Sequence, residues 1–282
     1  MAGRSLNVAI IGAGIGGLAA AATLARRGIE AQVYEQATRF ARVGAGIQMT
    51  PNAMKVLRGI GLQERLREIA FEPPQAFNRD HDTGNVTNTL TLGGASEERY
   101  GAPYLLMHRA DLHEAIATTV PEAQVRRGRK LRSVSQDAGG VTLCFEDGSE
   151  AQADLLIAAD GVHSLVREHM LGPEKPHFTG KVAYRTTYPM ALLGGREIGV
   201  GRTKWWGPDR HIVIYPTTRN RDELYFVTSQ PEKVDWMTRE SWSQKGDLDE
   251  LREAFAAFHP EVRAVLDACP EVYKWEIGRA HV

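Results

Sequence analysis

The alternation of apolar and polar positions predicts a βαβ unit at the start of the chain. Residues 7–11 form a short, nearly continuous apolar run, which is typical of a strand buried on both faces of a parallel sheet. Residues 18–27 are rich in alanine and end in two arginines before Gly28, which indicates a helix that stops at a glycine. Residues 30–35 then predict a second strand.

The rest of the pattern divides the chain near residue 175. Before that point it predicts helices over 51–69, 108–119 and 164–170, short strands within 125–145 and a buried strand over 154–159. The apolar face of the first of these helices consists of Met54, Leu57, Ile60, Leu62 and Leu66. Residues 73–100 are polar and locally strand-like, which we interpret as an excursion out of the first domain.

After residue 176 the pattern changes to alternating strands, with runs at 181–188, 211–215 and 224–229, and an amphipathic helix over 247–258. The predicted fold is therefore an α/β Rossmann-like, three-layer domain over residues 1–175 and a strand-rich α+β domain over residues 176–276.

The turn between the first strand and the first helix has the spacing GxGxxG, through Gly12, Gly14 and Gly17. The first glycine permits a tight turn, the second lets the backbone approach a pyrophosphate, and the third lets helix and strand pack closely. Glu35 ends the second strand, where a carboxylate can accept hydrogen bonds from a ribose 2′-hydroxyl and would repel a 2′-phosphate. This unit predicts a site for FAD or NAD rather than NADP.

Composition argues against several other classes of protein. The 282 residues carry a formal net charge of -1, so no overall field attracts nucleic acid or an anionic membrane. The apolar stretch that ends at Leu24 is interrupted by glycines and is shorter than the ~18 apolar residues of a membrane span. Two cysteines, Cys144 and Cys269, cannot form a disulfide framework, which favours the cytoplasm. The histidines form no ligand-spaced cluster, so we expect no metal site.

Four segments follow one another in an order that resembles the class A FAD-dependent aromatic-ring monooxygenases: residues 12–36, 44–62, 108–116 and 159–168. The resemblance implies FAD as cofactor, NADH or NADPH as cosubstrate, and O2 and a small aromatic compound as the other reactants. It also implies the residues that hold FAD, namely Gly12, Gly14, Gly17, Glu35, Gln36, Arg109, Leu131 and Asp160. Without the resemblance, Arg109 also fits a surface ion pair and Asp160 a strand-ending turn.

Residues 204–232 resemble the 6-hydroxynicotinate 3-monooxygenase branch of that family and, more loosely, its salicylate hydroxylase branch. Strand alternation puts His211 and Tyr215 on one face, side by side on a wall toward the flavin. The resemblance assigns both to the substrate pocket, where they would bind a ring hydroxyl and take its proton. Without it, His211 is more often a structural histidine.

One position departs from that branch, which has a histidine where this chain has Gln48. Glutamine can hydrogen-bond the substrate or the flavin, but it cannot act as a base near neutral pH. We therefore expect hydroxylation, with or without decarboxylation, of a hydroxylated aromatic or N-heteroaromatic acid such as 6-hydroxynicotinate or salicylate. Arg185 is a candidate partner for the carboxylate.

The end of the chain does not resemble the family. We expect residues 277–282 to be non-native and the C-terminal part of the FAD-binding domain to be absent, so that this chain binds FAD poorly. Two other functions stay open: an FAD oxidoreductase that does not hydroxylate a ring, and an inactive nucleotide-binding fragment. The sequence does not indicate an oligomeric state.

Overall fold

The structure is a computed structural model that describes residues 6–42, 45–174, 177–232 and 244–279. Within these ranges the strands are β1 (Val8–Ile11), β2 (Ala31–Glu35), β3 (Gly46–Met49), β4 (Gln75–Asp80), β5 (Val86–Thr91), β6 (Leu105–His108), β7 (Val125–Arg127), β8 (Leu131–Asp137), β9 (Gly140–Phe145), β10 (Glu150–Ala153), β11 (Leu155–Ala158), β12 (His177–Pro189), β13 (Arg202–Trp206), β14 (His211–Pro216), β15 (Glu223–Pro231) and β16 (Tyr273–Arg279). The α-helices are α1 (Ile15–Ala25), α2 (Pro51–Gly59), α3 (Gln63–Ile69), α4 (Gly94–Tyr100), α5 (Arg109–Ala117), α6 (Leu165–Leu171), α7 (Leu248–Ala254) and α8 (Pro260–Ala268).

A parallel sheet with the strand order β11-β1-β2-β7 lies at the centre of the first domain. Every residue of β1 is buried. Val8 and Ile10 face a core formed with α1, α2, α3 and α5, whereas Ala9 and Ile11 face the antiparallel sheet β10-β9-β8. Helices, parallel sheet and antiparallel sheet form three layers, which confirms the fold class that the βαβ pattern predicts.

A seven-stranded sheet with the order β16-β12-β15-β14-β13-β4-β5 forms the second half of the molecule. The excursion over residues 73–100 contributes β4 and β5, and β4 runs parallel to β13. The outer face of the sheet packs on α7 and α8 through side chains such as Trp205, Phe226 and Phe255. The inner face of the sheet is therefore the one that meets the first domain.

A small core joins the two halves. Val213, Tyr215 and Tyr225 on the inner face of the large sheet pack against Phe71 and Leu106 of the first domain. The β3-β6 pair lies at this junction, because Leu106 belongs to β6. A ligand that contacts both Tyr215 and the first domain would lie beside this core.

The structure corrects several helix predictions. Residues 51–69 form two helices, α2 and α3, because Gly61 between them adopts φ 86°, which ends the first helix. The predicted apolar face is nevertheless buried at all five positions. Residues 247–258 contain only the shorter α7, and Pro260 starts a separate α8. Residues 94–100, predicted to be strand-like, form α4.

The strand β11 also differs from its prediction as a buried strand. It forms the edge of the four-stranded sheet, and the side chain of Leu155 is 44% exposed. At the other end of the chain, residues 277–279 continue β16, where Ile277 pairs with Lys181. None of the helices in the described ranges is long and apolar enough to cross a membrane.

Candidate active site

Two glycines of the GxGxxG turn leave no room for a side chain. A Cβ at Gly17 would lie 1.9 Å from the carbonyl oxygen of Gly12, and a Cβ at Gly12 would lie 2.3 Å from that of Ala159. Gly12 also has φ 97°, which residues with a side chain avoid. Around Gly14 and Gly16, in contrast, a Cβ would meet nothing within 4 Å. The turn is tightly packed on its inner side and open where a pyrophosphate would approach the helix N-terminus.

Both carboxylate oxygens of Glu35 hold the backbone around this turn. Oε2 accepts a hydrogen bond of 2.8 Å from the N–H of Ala13, and Oε1 accepts one of 2.8 Å from the N–H of Ala37. A carboxylate has about four lone-pair positions, so Glu35 can still accept a ribose hydroxyl. Glu35 therefore lies where the sequence predicts the ribose of the nucleotide.

The other residues predicted for the adenine end lie near the same strand end. Gln36 is exposed directly after Glu35. The N–H of Arg129 donates to the carbonyl of Glu35 at 2.8 Å, and Leu131 begins β8 two residues later. The Leu131 side chain is buried in the core beside the antiparallel sheet, so its backbone is the part available to a nucleotide.

Asp160 lies next to the glycine turn and is held in place. Its Oδ1 accepts from the hydroxyl of Ser164 at 2.6 Å, and its Oδ2 accepts from the N–H of Val166 at 3.2 Å. A Cβ on Gly12 would lie 3.2 Å from the Asp160 Cα, which places the two motifs in contact. The structure therefore brings Asp160 to the nucleotide turn and also uses it to fix the start of α6.

Arg109 begins α5 at the junction of the two halves, where its N–H donates to the carbonyl of Ala45 at 2.8 Å. Burial lowers the pKa of the Arg109 guanidinium. Burial also lowers the pKa of Arg185, and the nearby charge of Arg109 acts in the same direction. Two cations therefore lie close together here, which suits an anionic ligand between the halves.

Tyr215 lies in a polar pocket with Gln48 and Tyr104. The Tyr104 hydroxyl donates to Oε1 of Gln48 at 2.5 Å, and Tyr215 is 1% exposed with its ring centroid 5.0 Å from that of Tyr225. A Cβ on Gly46 would lie 2.7 Å from the Tyr215 hydroxyl. Burial raises the pKa of Tyr215 well above its ordinary value, and a hydrogen bond with Gln48 opposes that rise. The pocket thus offers neutral hydrogen-bonding groups at neutral pH.

Arg202 adds a cation that the sequence pattern did not single out. Its Nε is buried and has no hydrogen-bond partner among the residues that the structure describes. Its charge lowers the pKa of Tyr104 and of Tyr215 against the larger effect of burial, so the guanidinium lies near both hydroxyls. Strand alternation along β13 could have identified this residue. It puts Arg202 and Lys204 on the same face of the sheet as Tyr215 in the adjacent β14.

His211 and Tyr215 share a face, but they are not side by side. They are four positions apart on β14, which is about 13 Å along a strand, and Val213 lies between them. His211 is beside Trp206, with ring centroids 5.0 Å apart. Burial, with the charges of Lys204 and Lys181, lowers the pKa of His211 to about 4. The structure therefore places these residues in two separate parts of one wall.

Arg185, the candidate carboxylate partner, has protein partners. Its guanidinium lies 3.7 Å from the ring centroid of Trp275 and is hydrogen-bonded to Tyr225. No group of three His, Cys, Asp or Glu side chains in the described part of the chain is placed to hold a metal ion.

These features define a dinucleotide-binding protein: a strand, a glycine turn that is open toward the helix N-terminus, and an acid that ends the next strand. The space beside Gly14 and Gly16 fits the pyrophosphate of FAD. Residues 5–246 match the FAD binding domain family. The chain belongs to the FAD-dependent aromatic-ring monooxygenases, which are enzymes that use FAD with NADH or NADPH.

Named relatives agree with this membership. The chain is 42% identical over 271 residues to 6-hydroxynicotinate 3-monooxygenase of Bordetella bronchiseptica, with 96% of this chain and 70% of that protein covered. It is 36% identical over 276 residues to 3-amino-4-hydroxybenzoate 2-monooxygenase of Streptomyces cremeus, with 98% and 68% covered. Klebsiella pneumoniae HpxO, solved with FAD and uric acid, superposes with a TM-score of 0.82 at 28% identity, with 96% and 68% covered.

Proposed function

We propose that the chain hydroxylates the ring of a hydroxylated aromatic or N-heteroaromatic acid. The observation that carries this proposal is the buried Arg202 Nε, which has no hydrogen-bond partner among the described residues and lies near the hydroxyls of Tyr104 and Tyr215. A buried polar atom without a hydrogen-bond partner costs free energy, and a carboxylate bound to this half-buried guanidinium would offset that cost. Relatives named for 6-hydroxynicotinate and 3-amino-4-hydroxybenzoate support a substrate that has both a carboxylate and a ring substituent able to hydrogen-bond.

Two cationic side chains, those of Arg202 and Lys204, lie on this wall. Within the described ranges neither side chain forms an ion pair with an acidic residue, and Arg202 lowers the pKa of Lys204 in addition to the effect of burial. Adjacent like charges repel each other, and an anion between or beside them relieves that repulsion. This arrangement favours an acid over an uncharged phenol.

The roles of the polar residues follow from their protonation. When bound, FAD supplies the means to activate O2 with electrons from NADH or NADPH. Tyr215 stays protonated at neutral pH because burial raises its pKa, so it donates a hydrogen bond to the ring oxygen instead of acting as a base. Such a donor stabilises a ring oxygen that is bound as its anion, and an anionic oxygen makes the ring more nucleophilic. Gln48 and Tyr104 hold the Tyr215 region in place through their hydrogen bond.

The apolar side chains beside Tyr215 keep water away from the reacting ring. Phe71, Leu106, Val213 and Tyr225 close this side of the pocket, and all four are buried. Water in such a site diverts activated oxygen to side products, so a dry wall favours transfer to the ring.

The proposal is tested by substrate-stimulated NADH and NADPH oxidation, with product identified by mass spectrometry. We expect 6-hydroxynicotinate, salicylate or another hydroxylated ring acid to stimulate oxidation and to gain one hydroxyl on the ring, with or without loss of CO2. The matched compounds without a carboxylate, 2-hydroxypyridine and phenol, should stimulate it far less. Equal stimulation by acids and their uncharged analogues contradicts the proposed substrate class, and oxidation without any hydroxylated product contradicts ring hydroxylation.

Tyr215→Phe is expected to lower kcat by about 10- to 100-fold while leaving FAD affinity unchanged, because it removes a hydrogen-bond donor and no volume. The measurement is kcat and KM for the best acid, together with the ratio of hydroxylated product to NADH consumed. Tyr100→Phe is the matched control, since Tyr100 is 50% exposed on α4 and does not belong to the core around Tyr215. An unchanged kcat in Tyr215→Phe would remove Tyr215 from the reaction.

His211 is expected to titrate near pH 4 in the folded protein, below its ordinary value of about 6.5. Because the folded pKa is depressed, the stability that this residue contributes is complete above pH 6.5 and is lost as the pH falls toward 4. Lys204→Met should raise the pKa of His211, since it removes a nearby positive charge. NMR titration of the histidine signals, with the His211 signal assigned by its loss in His211→Gln, measures the pKa of His211 in the parent chain and in Lys204→Met. Lys245→Met, at an exposed position, is the control and should leave the pKa of His211 unchanged.

A further inference from the structure

The side chain of His113 contacts the nucleotide turn across the first domain. Its Nε2 lies 2.7 Å from the carbonyl oxygen of Ala13, although the two residues are 100 positions apart in the chain. A carbonyl oxygen can only accept, so the imidazole donates its Nε2–H. His113 is on α5, whose side chains pack against α1 behind the turn.

The Ala13 residue is thereby held on both sides. Its N–H donates to Oε2 of Glu35 at 2.8 Å, and its carbonyl accepts from His113. In a trans peptide the C=O and the next N–H point in opposite directions. The Gly12 carbonyl, opposite the Ala13 N–H, accordingly points toward Gly17, where it would lie 1.9 Å from an added Cβ.

The same rule fixes the direction of the next N–H. Because the Ala13 carbonyl points to His113, the N–H of Gly14 points away from α5. Gly14 is the N-cap of α1, and a Cβ on it would meet nothing within 4 Å. An N–H directed away from α5 at this open position can reach a phosphate oxygen, as the first N–H groups of a helix do.

We infer that His113 is a positioning residue for the FAD pyrophosphate, because it orients the Ala13-Gly14 peptide so that the Gly14 N–H donates to a phosphate oxygen. The ring of His113 is itself held by Phe40, whose ring centroid lies 4.5 Å away at 70°. Phe40 in turn lies under the guanidinium of Arg127, 4.9 Å from the ring centroid. Phe40, which follows the second strand, and Arg127 on β7 thus hold the ring that orients a donor at the first turn.

The test uses the whole chain, stripped of flavin, and compares His113→Leu with His113→Gln. Leucine fills space against Phe40 without a donor, whereas glutamine keeps a side-chain N–H of similar reach. We expect His113→Leu to weaken FAD binding on the order of tenfold, the effect of one well-oriented hydrogen bond, and His113→Gln to restore most of it. His169→Leu, at an exposed position on α6, is the matched control.

A second readout separates positioning from general stabilisation. ADP carries the pyrophosphate and adenosine does not, so His113→Leu should weaken ADP binding and leave adenosine binding unchanged, both measured by competition. Equal loss for ADP and adenosine, with a lower unfolding temperature, would mean that His113 only stabilises the domain and would overturn the inference. Unchanged FAD affinity in His113→Leu would also overturn it. Neither result depends on turnover, so both are independent of the proposed substrate.

Discussion

Replacing Gly17 with alanine should lower FAD affinity by at least 100-fold. The added Cβ would lie 1.9 Å from the carbonyl oxygen of Gly12 and 3.3 Å from the Cβ of Ala159. Gly12 cannot move away, because it is itself packed against the backbone of Ala159. The helix α1 must therefore shift outward, which displaces the N–H groups that would hold the pyrophosphate. Flavin fluorescence during titration of the flavin-free protein measures the affinity.

Gly59→Ala is the matched control for this substitution. Gly59 ends α2, a Cβ there would meet nothing within 4 Å, and alanine is favoured over glycine in a helix by up to about 1 kcal/mol. We expect it to leave FAD affinity unchanged and the unfolding temperature equal or slightly higher. If Gly17→Ala binds FAD as tightly as the parent chain while remaining folded, the close approach at this turn does not control the cofactor site.

The nucleotide turn could be predicted because its determinants are local. A buried strand, three glycines and an acid occur within residues 7–35, and each has a single dominant physical role. The helix break at Gly61 also has a local signal, the glycines on either side of Ile60, which the apolar pattern obscured. β11 is different, since an apolar run looks the same in a central strand and in an edge strand.

The contacts that complete the site are non-local. His113 meets Ala13 across 100 residues, and Tyr104 meets Gln48 across 56. Strand alternation correctly put His211 and Tyr215 on one face, but it does not give the distance along the strand or the neighbours on β13. Arg202 and Lys204 become notable only when the sheet order places β13 beside β14. Segment patterns therefore identify the cofactor more readily than the substrate.

The separation of His211 from Tyr215 changes the expected division of roles between them. At neutral pH His211 is uncharged, because its pKa is about 4, and it lies beside Lys204 and Trp206 instead of beside the Gln48 pocket. A single-ring acid is too short to span the roughly 13 Å between the two positions, so an acid bound at Tyr215 does not reach His211. The residue that decides affinity for the acid should then be the cation near Tyr215.

Arg202→Met is accordingly expected to raise KM for the acid substrate by about 100-fold, with a smaller effect on kcat and none on FAD affinity. Methionine keeps much of the length of the side chain but leaves the substrate carboxylate without its charged partner. Losing one member of a buried charge pair costs about 2–5 kcal/mol of binding free energy. Arg202→Lys should recover part of the loss, since a lysine restores the charge without the two-pronged geometry of the guanidinium.

Two comparisons make this result specific to Arg202. Arg196→Met removes an exposed guanidinium from the same domain and should leave KM unchanged. Uncharged analogues of the substrate should bind Arg202→Met as well as they bind the parent chain, because the lost interaction requires a carboxylate. If KM rises equally for acids and uncharged analogues, Arg202 shapes the pocket without recognising charge. If KM does not rise for either, the carboxylate is bound by another cation, Lys204 or Arg185, and Arg202 does not recognise the substrate.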